Sequence, residues 1–140
     1  MCKHIYDAFK VQISFHEPLP PFEAQIPHQL ESILESVRGS YAGQQFFPTI
    51  LDVSAAYYYK IACSQVFANG NKRLSILFTD YYLWSHKINL DIPQEKFYLI
   101  TEELASLSEK GISHDVIQKV ARKIIQENCL DLEELSQRRV

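Results

Sequence analysis

The sequence predicts an all-α domain, and three features carry that expectation. Glycine occurs only 4 times in 140 residues, too few for the turns of a strand-and-turn sandwich. From residue 27 onward, apolar residues recur at the three- and four-residue spacing of a buried helix face. Residues suited to helix ends fall between those runs, leaving the short connections usual between packed helices. The expected architecture is a helical domain of about five or six helices, with a short flap hairpin ahead of a central helix.

The elements follow in order. Residues 2–15 carry scattered apolar positions (Ile5, Phe9, Val11, Ile13, Phe15) compatible with a short helix followed by an extended piece, though the pattern decides neither. Pro18-Leu19-Pro20-Pro21 forbids regular structure, because each proline fixes φ and removes a donor. Phe15, Leu19 and Phe22 are expected to anchor this stretch to the surface. Pro27 suits a first helical turn, and Leu30, Ile33, Leu34 and Val37 continue at helical spacing to a stop near Arg38-Gly39.

Residues 39–47 (Gly-Ser-Tyr-Ala-Gly-Gln-Gln-Phe-Phe) are polar and glycine-flanked, which predicts a loop or small hairpin acting as a flap. Asp52 is a good N-cap, and Val53, Ala56, Tyr57 and Ile61 predict a helix from Asp52 to about Val66. Tyr57, Tyr58 and Tyr59 are expected to pack that helix, with one phenol exposed. Asn69-Gly70 is a turn signal. From about Asn71 to His86 the chain is apolar nearly all round, as expected of a buried central helix. Phe97, Ile100, Leu104 and Leu107 mark the next helix, Gly111 suits its C′ position and Ser113 the following N-cap. Val116, Ile117, Val120 and Ile124 carry that helix, and residues 126–140 read as a helical tail.

Composition narrows the function classes. Lys+Arg is 14 against 17 Asp+Glu, a net charge of −3, so a bulk cationic footprint for nucleic acid or anionic lipid is missing. No apolar run is long enough to span a bilayer, and the first residues lack the apolar core of a signal peptide. Cys2, Cys63 and Cys129 are odd in number and widely spaced. They argue against a disulfide framework or zinc knuckle and for a reducing cytoplasm.

One stretch carries chemistry: Gln65-Val66-Phe67-Ala68-Asn69-Gly70-Asn71-Lys72-Arg73. It is a turn leading into a helix N-terminus, where backbone N–H groups lack partners and the helix dipole adds positive charge. Gly70 permits close backbone approach, Asn71 can donate from its side chain, and Lys72 and Arg73 add two formal charges. Cations oppose the dipole there, so the turn calls for a bound anion or a carboxylate from elsewhere in the fold.

This stretch resembles the Fic/Doc (Fido-fold) motif, His-x-Phe-x-Asp/Glu-Gly-Asn-Lys/Gly-Arg, keeping Phe67, Gly70, Asn71, Lys72 and Arg73. Lysine at position 72 is similar to the death-on-curing (Doc) branch. Phe47-Pro48-Thr49-Ile50-Leu51 with Ala55-Ala56, the helix to Ile88, Gln29–Ser32 and Gly111–Ser113 resemble the family's flanking segments. The resemblance runs from about residue 27 to 125 of a single domain and leaves 1–26 unmatched.

The resemblance implies transfer of a phosphate-containing group, as AMP or phosphoryl, from a nucleotide such as ATP to a protein hydroxyl. It implies that Phe67 anchors the loop, that Gly70, Asn71, Lys72 and Arg73 bind phosphate, and that Tyr41, Gln44, Gln45 and Phe46 form the flap aligning a protein target by strand addition. Magnesium is usual in the family. Two positions depart from the pattern. Gln65 stands where the family has its histidine base, and a neutral amide cannot take the proton. Asn69 stands where the family's carboxylate holds magnesium, and offers only a neutral carbonyl oxygen. No other histidine is an evident substitute: His86 lies about 20 Å along its helix at 1.5 Å per residue, and His4, His16, His28 and His114 read as surface residues. The chain also lacks a copy of the family's inhibitory Ser/Thr-x-x-x-Glu-Gly/Asn helix, so restraint would fall to a separate antitoxin chain or be unnecessary.

Three readings follow. The first is a degenerate Doc-like protein that binds a nucleotide or a protein partner without transferase activity and with magnesium weakened or absent. The second is an active, divergent enzyme, since phosphoryl transfer rests mainly on positioning and electrostatics. The third is a non-catalytic interaction protein with a relic site. None of them involves nucleic acid or a membrane.

Overall fold

A computed structural model describes residues 28–64 and 70–129. Five helices and one two-stranded hairpin make up the described residues: α1 (Gln29–Arg38), β1 (Ser40–Tyr41), β2 (Gln44–Gln45), α2 (Ile50–Ala62), α3 (Asn71–Ser85), α4 (Gln94–Glu109) and α5 (His114–Glu127). The fold is all-α, as the helical spacing predicts. Expectations for residues 2–27, including Cys2 and the Pro27 first turn, and for the tail from residue 130 lie outside the described residues.

The centre of the fold is α2, not the motif helix. Eleven of the thirteen α2 residues are buried, and α2 packs against α1, α3, α4 and α5. The small Ser54, Ala55 and Ala56, all 0% exposed, let neighbours approach the helix closely. Helix α3 is buried only from Arg73 to Thr79 and at Leu83; its far end reaches the surface, where Trp84 is exposed. Apolar composition alone overstated its burial. The expected exposed phenol among Tyr57, Tyr58 and Tyr59 is also corrected, for all three are buried. A helix surrounded on all sides leaves no solvent face for one.

Several polar groups inside this core are paired, whereas the buried Tyr82 hydroxyl has no partner among the described residues. Thr101 Oγ1 donates to the Phe97 carbonyl at 2.7 Å, so the Tyr58 hydroxyl, 2.7 Å away, is the donor in its bond to Thr101. Ser75 Oγ donates to the Tyr58 carbonyl at 2.6 Å, and Thr79 Oγ1 to the Ser75 carbonyl at 2.8 Å. These bonds fix α3 and α4 against α2, and a buried polar group left unpaired would cost about 1–3 kcal/mol.

Helix α2 begins three residues earlier than its carboxylate suggested. The N-cap is Thr49, and Asp52 is the third helical residue of a capping box. Asp52 N–H donates to Thr49 Oγ1 at 3.1 Å, and Thr49 Oγ1 donates to Asp52 Oδ2 at 2.6 Å. A Thr-x-x-Asp frame satisfies donors at both ends, which a lone aspartate cap cannot do. The helix stops at Ala62 rather than near Val66: Cys63 is the C-cap, and Ser64 N–H and Oγ both turn back to the Ile61 carbonyl.

Glycine 111 ends α4 as expected. It is left-handed at φ 79°, its N–H bonds to the Ser108 carbonyl and that of Ile112 to the Leu107 carbonyl, the paired bonds of a Schellman motif. Ser113 is the N-cap of α5, but its hydroxyl makes no capping bond.

Candidate functional site

The candidate site lies where α2 hands over to α3. Ser64 closes the end of α2, residues 65–69 lie outside the described residues, and Gly70 resumes the chain as the N-cap of α3. Gly70 is left-handed, φ 82° and ψ 4°, a conformation glycine adopts without steric cost. Its carbonyl accepts the first helical bond, from Leu74 N–H at 2.9 Å.

The start of α3 differs in charge from that of α2. No side chain caps it and no acidic residue lies in its first turn. Asn71, Lys72 and Arg73 fill that turn instead. Lys72 and Asn71 are half-buried, whereas Arg73 is 2% exposed. Asn71 and Arg73 each already hold an interaction within the chain. Two cations and the helix dipole therefore concentrate positive potential at one partly open turn.

Cys63, the C-cap of α2, lies within electrostatic reach of Lys72. Burial pushes its thiol above the ordinary value, opposed by a hydrogen bond with Ser108 and by the positive charge of Lys72. A raised value leaves less of the thiolate, the nucleophilic form, at neutral pH.

The predicted flap is a hairpin. Ser40 pairs with Gln45 and Tyr41 with Gln44 in antiparallel register. Ala42 and Gly43 form the two-residue turn with positive φ of 52° and 81°, the twist such hairpins favour. Gln44, Gln45 and Phe46 are exposed. Phe46 N–H donates to the Gly39 carbonyl at 3.1 Å, and a Cβ at Gly39 would sit 2.9 Å from the Phe46 ring. Gly39 is thus the floor on which the Phe46 ring rests. A cleft of about 550 Å³ opens beside Gly43, Gln44, Gln45 and Pro48.

Positions 65, 67 and 69 belong to the undescribed stretch, so the expectations for Gln65, Phe67 and Asn69 stand on sequence alone. Of the histidines, His28 is the exposed N-cap of α1, 3.3 Å from Glu31. His86 closes α3 with its ring on Tyr82. His114 opens α5 and meets the Tyr59 ring edge-on.

A family model described as the Fic/DOC family matches residues 3–83, more than half of the chain. The chain belongs to the Fic/DOC family. No curated protein and no solved structure matches it. The matched span includes the flap, α2, the motif stretch and most of α3, the elements that build the candidate site. Helices α4 and α5 lie beyond it, yet they supply Thr101, Ser108 and His114 to the surroundings of α2.

Two groups escaped the sequence reading. Thr49 was legible as a Thr-x-x-Asp capping frame ahead of an apolar run. Lys60 was legible as the one cation inside the long buried run of α2, and it proves half-buried, with Nζ 3.0 Å from Ser36 Oγ.

Among the described residues, no helix is long and apolar enough to cross a membrane.

Proposed function

We propose that this Fic/DOC-family chain binds a phosphate-bearing ligand, a nucleotide such as ATP or a phosphorylated group, at the start of α3, and acts by binding rather than by transfer. The observation that carries the reading is the first turn of α3: a left-handed Gly70 with no side-chain cap, no acidic residue, and Lys72 and Arg73 in place. The positive end of the helix dipole and two cations favour a phosphate there. Lys72, the more accessible of the two, makes the direct contact, and Arg73 contributes charge from within the fold.

Two residues argue against transfer. Gln65 cannot accept the hydroxyl proton, and general-base catalysis is worth about two to four orders of magnitude. Asn69 provides no carboxylate, and the first turn of α3 adds none. These residues do not fit a tightly held magnesium ion, which favours charged oxygen ligands.

The reading places the chain with the Doc-like, toxin–antitoxin side of the family, in a cytoplasm. Its protein partner would be the target of an active relative, aligned along the exposed Gln44–Phe46 edge by strand addition, or a cognate antitoxin. The buried and already partnered state of Arg73 favours a second reading, in which the turn serves the fold alone and the chain is purely an interaction protein.

Calorimetric titration with ATP, with and without magnesium, tests the proposal. Binding that is weakened in Lys72→Met and indifferent to magnesium supports it. An absence of heat with any nucleotide transfers the weight to the interaction reading. Robust transfer of label from ATP to a protein would sink the non-catalytic half.

A further inference from the structure

The far end of α3 gathers three side chains that the site at its start does not use. Trp84 is 64% exposed, more than any other large apolar residue among those described. Tyr81 stands beside it, with ring centres 6.2 Å apart and planes inclined at 41°. Asp80 is exposed and lies four residues before Trp84. Side chains three and four positions apart share one helix face, and a long side chain leans over the turn before its own. That lean carries the Trp84 ring toward the turn that bears Asp80 and Tyr81, as its pairing with the Tyr81 ring shows.

The carboxylate of this group is unmatched. Among the described residues Asp80 makes no ion pair and no hydrogen bond, unlike Asp52, which holds Arg122 at 3.2 Å. Although Asp80 is exposed, its surroundings withdraw part of its hydration, and this pushes its carboxyl above the ordinary value. No described cation answers it. The last turn of α3 has no basic residue. Lys87, just past the helix, pairs with neither Asp80 nor the Trp84 ring; the cation–ring contact among the described residues is Lys60 over Phe47. The carbonyl end of α3 adds partial negative charge to the same region.

Two aromatic faces and a free carboxylate complement a cation, and their shapes choose among cations. An indole is the strongest aromatic face for cation–π attraction. A guanidinium is planar, so it stacks on a ring while its N–H fork meets both oxygens of a carboxylate. A lysine ammonium is compact and more strongly hydrated, and gives up more water for the same contacts. A single exposed apolar residue is ordinary; an exposed tryptophan with a ring neighbour and an unpaired carboxylate on one face is a recognition surface.

We propose that Asp80, Tyr81 and Trp84 form a docking point for an arginine side chain of a protein partner, the guanidinium stacking on Trp84 and pairing with Asp80. Asp80 lies nine residues beyond Asn71, about 14 Å along the helix at 1.5 Å per residue. The docking point is therefore independent of what binds at the start of α3.

Trp84 is the chain's one tryptophan, so its fluorescence reads this point directly. The full chain is titrated at fixed ionic strength with a short blocked peptide bearing one arginine, and with the same peptide bearing lysine or citrulline. Citrulline keeps the planar shape and drops the charge. The arginine peptide is expected to change Trp84 emission saturably, with a dissociation constant on the order of 10 mM or tighter, as one cation–π contact and one charge-assisted pair allow. The lysine peptide binds more weakly, and the citrulline peptide more weakly still. Asp80→Asn removes no internal bond, melts like wild type and weakens arginine binding about two- to fivefold, the worth of a surface ion pair. Lys72→Met gives the wild-type titration, so a failure at the start of α3 is told apart from a failure here. Absence of a saturable change in the wild-type chain overturns the proposal. So does an equal response to arginine and citrulline, or an affinity unmoved by Asp80→Asn. Tighter binding of tetramethylammonium than of the arginine peptide overturns the choice of arginine in favour of an alkylated ammonium.

Discussion

The hydroxyl of Ser75 donates to the backbone carbonyl of Tyr58 at 2.6 Å, across the interface between α2 and α3. Both residues are 0% exposed. The bond lies two residues beyond Arg73, so it helps fix where the cationic turn sits relative to the central helix. Ser75→Ala is expected to lower unfolding free energy by about 1–2 kcal/mol, the worth of a buried hydrogen bond with its small cavity. Denaturant melts of the two proteins at equal m-value check it.

Asp52 joins two elements at once. Its carboxylate closes the Thr49 capping box and reaches Arg122 Nε on α5 at 3.2 Å, while its carbonyl accepts from Gln118 Nε2 at 3.1 Å. Asp52→Ala removes the capping carboxylate and the ion pair but spares the Gln118 bond. Loss of the cap alone costs about 1 kcal/mol. A double-mutant cycle with Arg122→Ala should show a positive coupling of a few tenths of a kcal/mol or more. Strict additivity would mean the ion pair adds nothing.

Alkaline stability should fall as buried phenols are forced to ionise. Burial holds Tyr58 well above the ordinary phenol value and pushes Tyr82 up to about 12, with Tyr59 raised as well. In the unfolded chain these groups lose their protons near pH 10. Between pH 10 and about 12 the folded chain therefore binds more protons than the unfolded one, and stability drops as pH rises. Lys60 acts in the opposite sense, because burial lowers its value and the unfolded chain holds that proton longer. Three phenols outweigh one amine, so the net slope is downward. Melting temperatures from pH 9 to 11.5 measure it, and Tyr82→Phe should flatten the decline.

Much of the fold was legible because local signals and tertiary packing agreed. Helical spacing at Leu30–Val37, the Gly111 stop and the glycine-flanked flap each rest on short-range chemistry that the fold did not override. The burial ranking of α2 and α3 was not legible. Hydrophobicity cannot distinguish a helix enclosed by four others from one whose end emerges at Trp84, because that depends on where α4 and α5 dock. At the site, Gly70-Asn71-Lys72-Arg73 was readable as an anion-seeking turn, but the burial of Arg73 was not.

Lys87 occupies a position built for glycine. It follows the C-cap of α3 with φ 62°, its N–H bonding to the Trp84 carbonyl and that of Ile88 to the Leu83 carbonyl. A side chain in the left-handed region costs about 1–2 kcal/mol, offset in part by the entropy glycine brings to the unfolded chain. Lys87→Gly should stabilise the protein by about 0.5–1 kcal/mol and leave ligand binding at the start of α3 untouched. A thermal melt that does not rise would show that the strain is absorbed elsewhere.

Lys72 and Arg73 are adjacent in sequence but should respond differently to substitution. Arg73 is 2% exposed and held by interactions within the fold. Arg73→Ala therefore leaves a cavity and strands its partners, at a cost of about 3–5 kcal/mol if the lost interaction is a buried charge pair. Lys72 is half-buried, and its removal should change stability by no more than about 0.5 kcal/mol. A loss of nucleotide binding in Arg73→Ala would then be ambiguous, since collapse of the turn and loss of a ligand contact give the same result. Lys72→Met separates the two effects, because it removes a charge while keeping the stem. A Lys72→Met chain that melts like wild type yet binds ATP tenfold or more weakly identifies the turn as a phosphate contact. A chain with unchanged affinity and unchanged melting shows instead that Lys72 is a solvated surface cation, and that the positive potential at α3 serves the fold through Arg73.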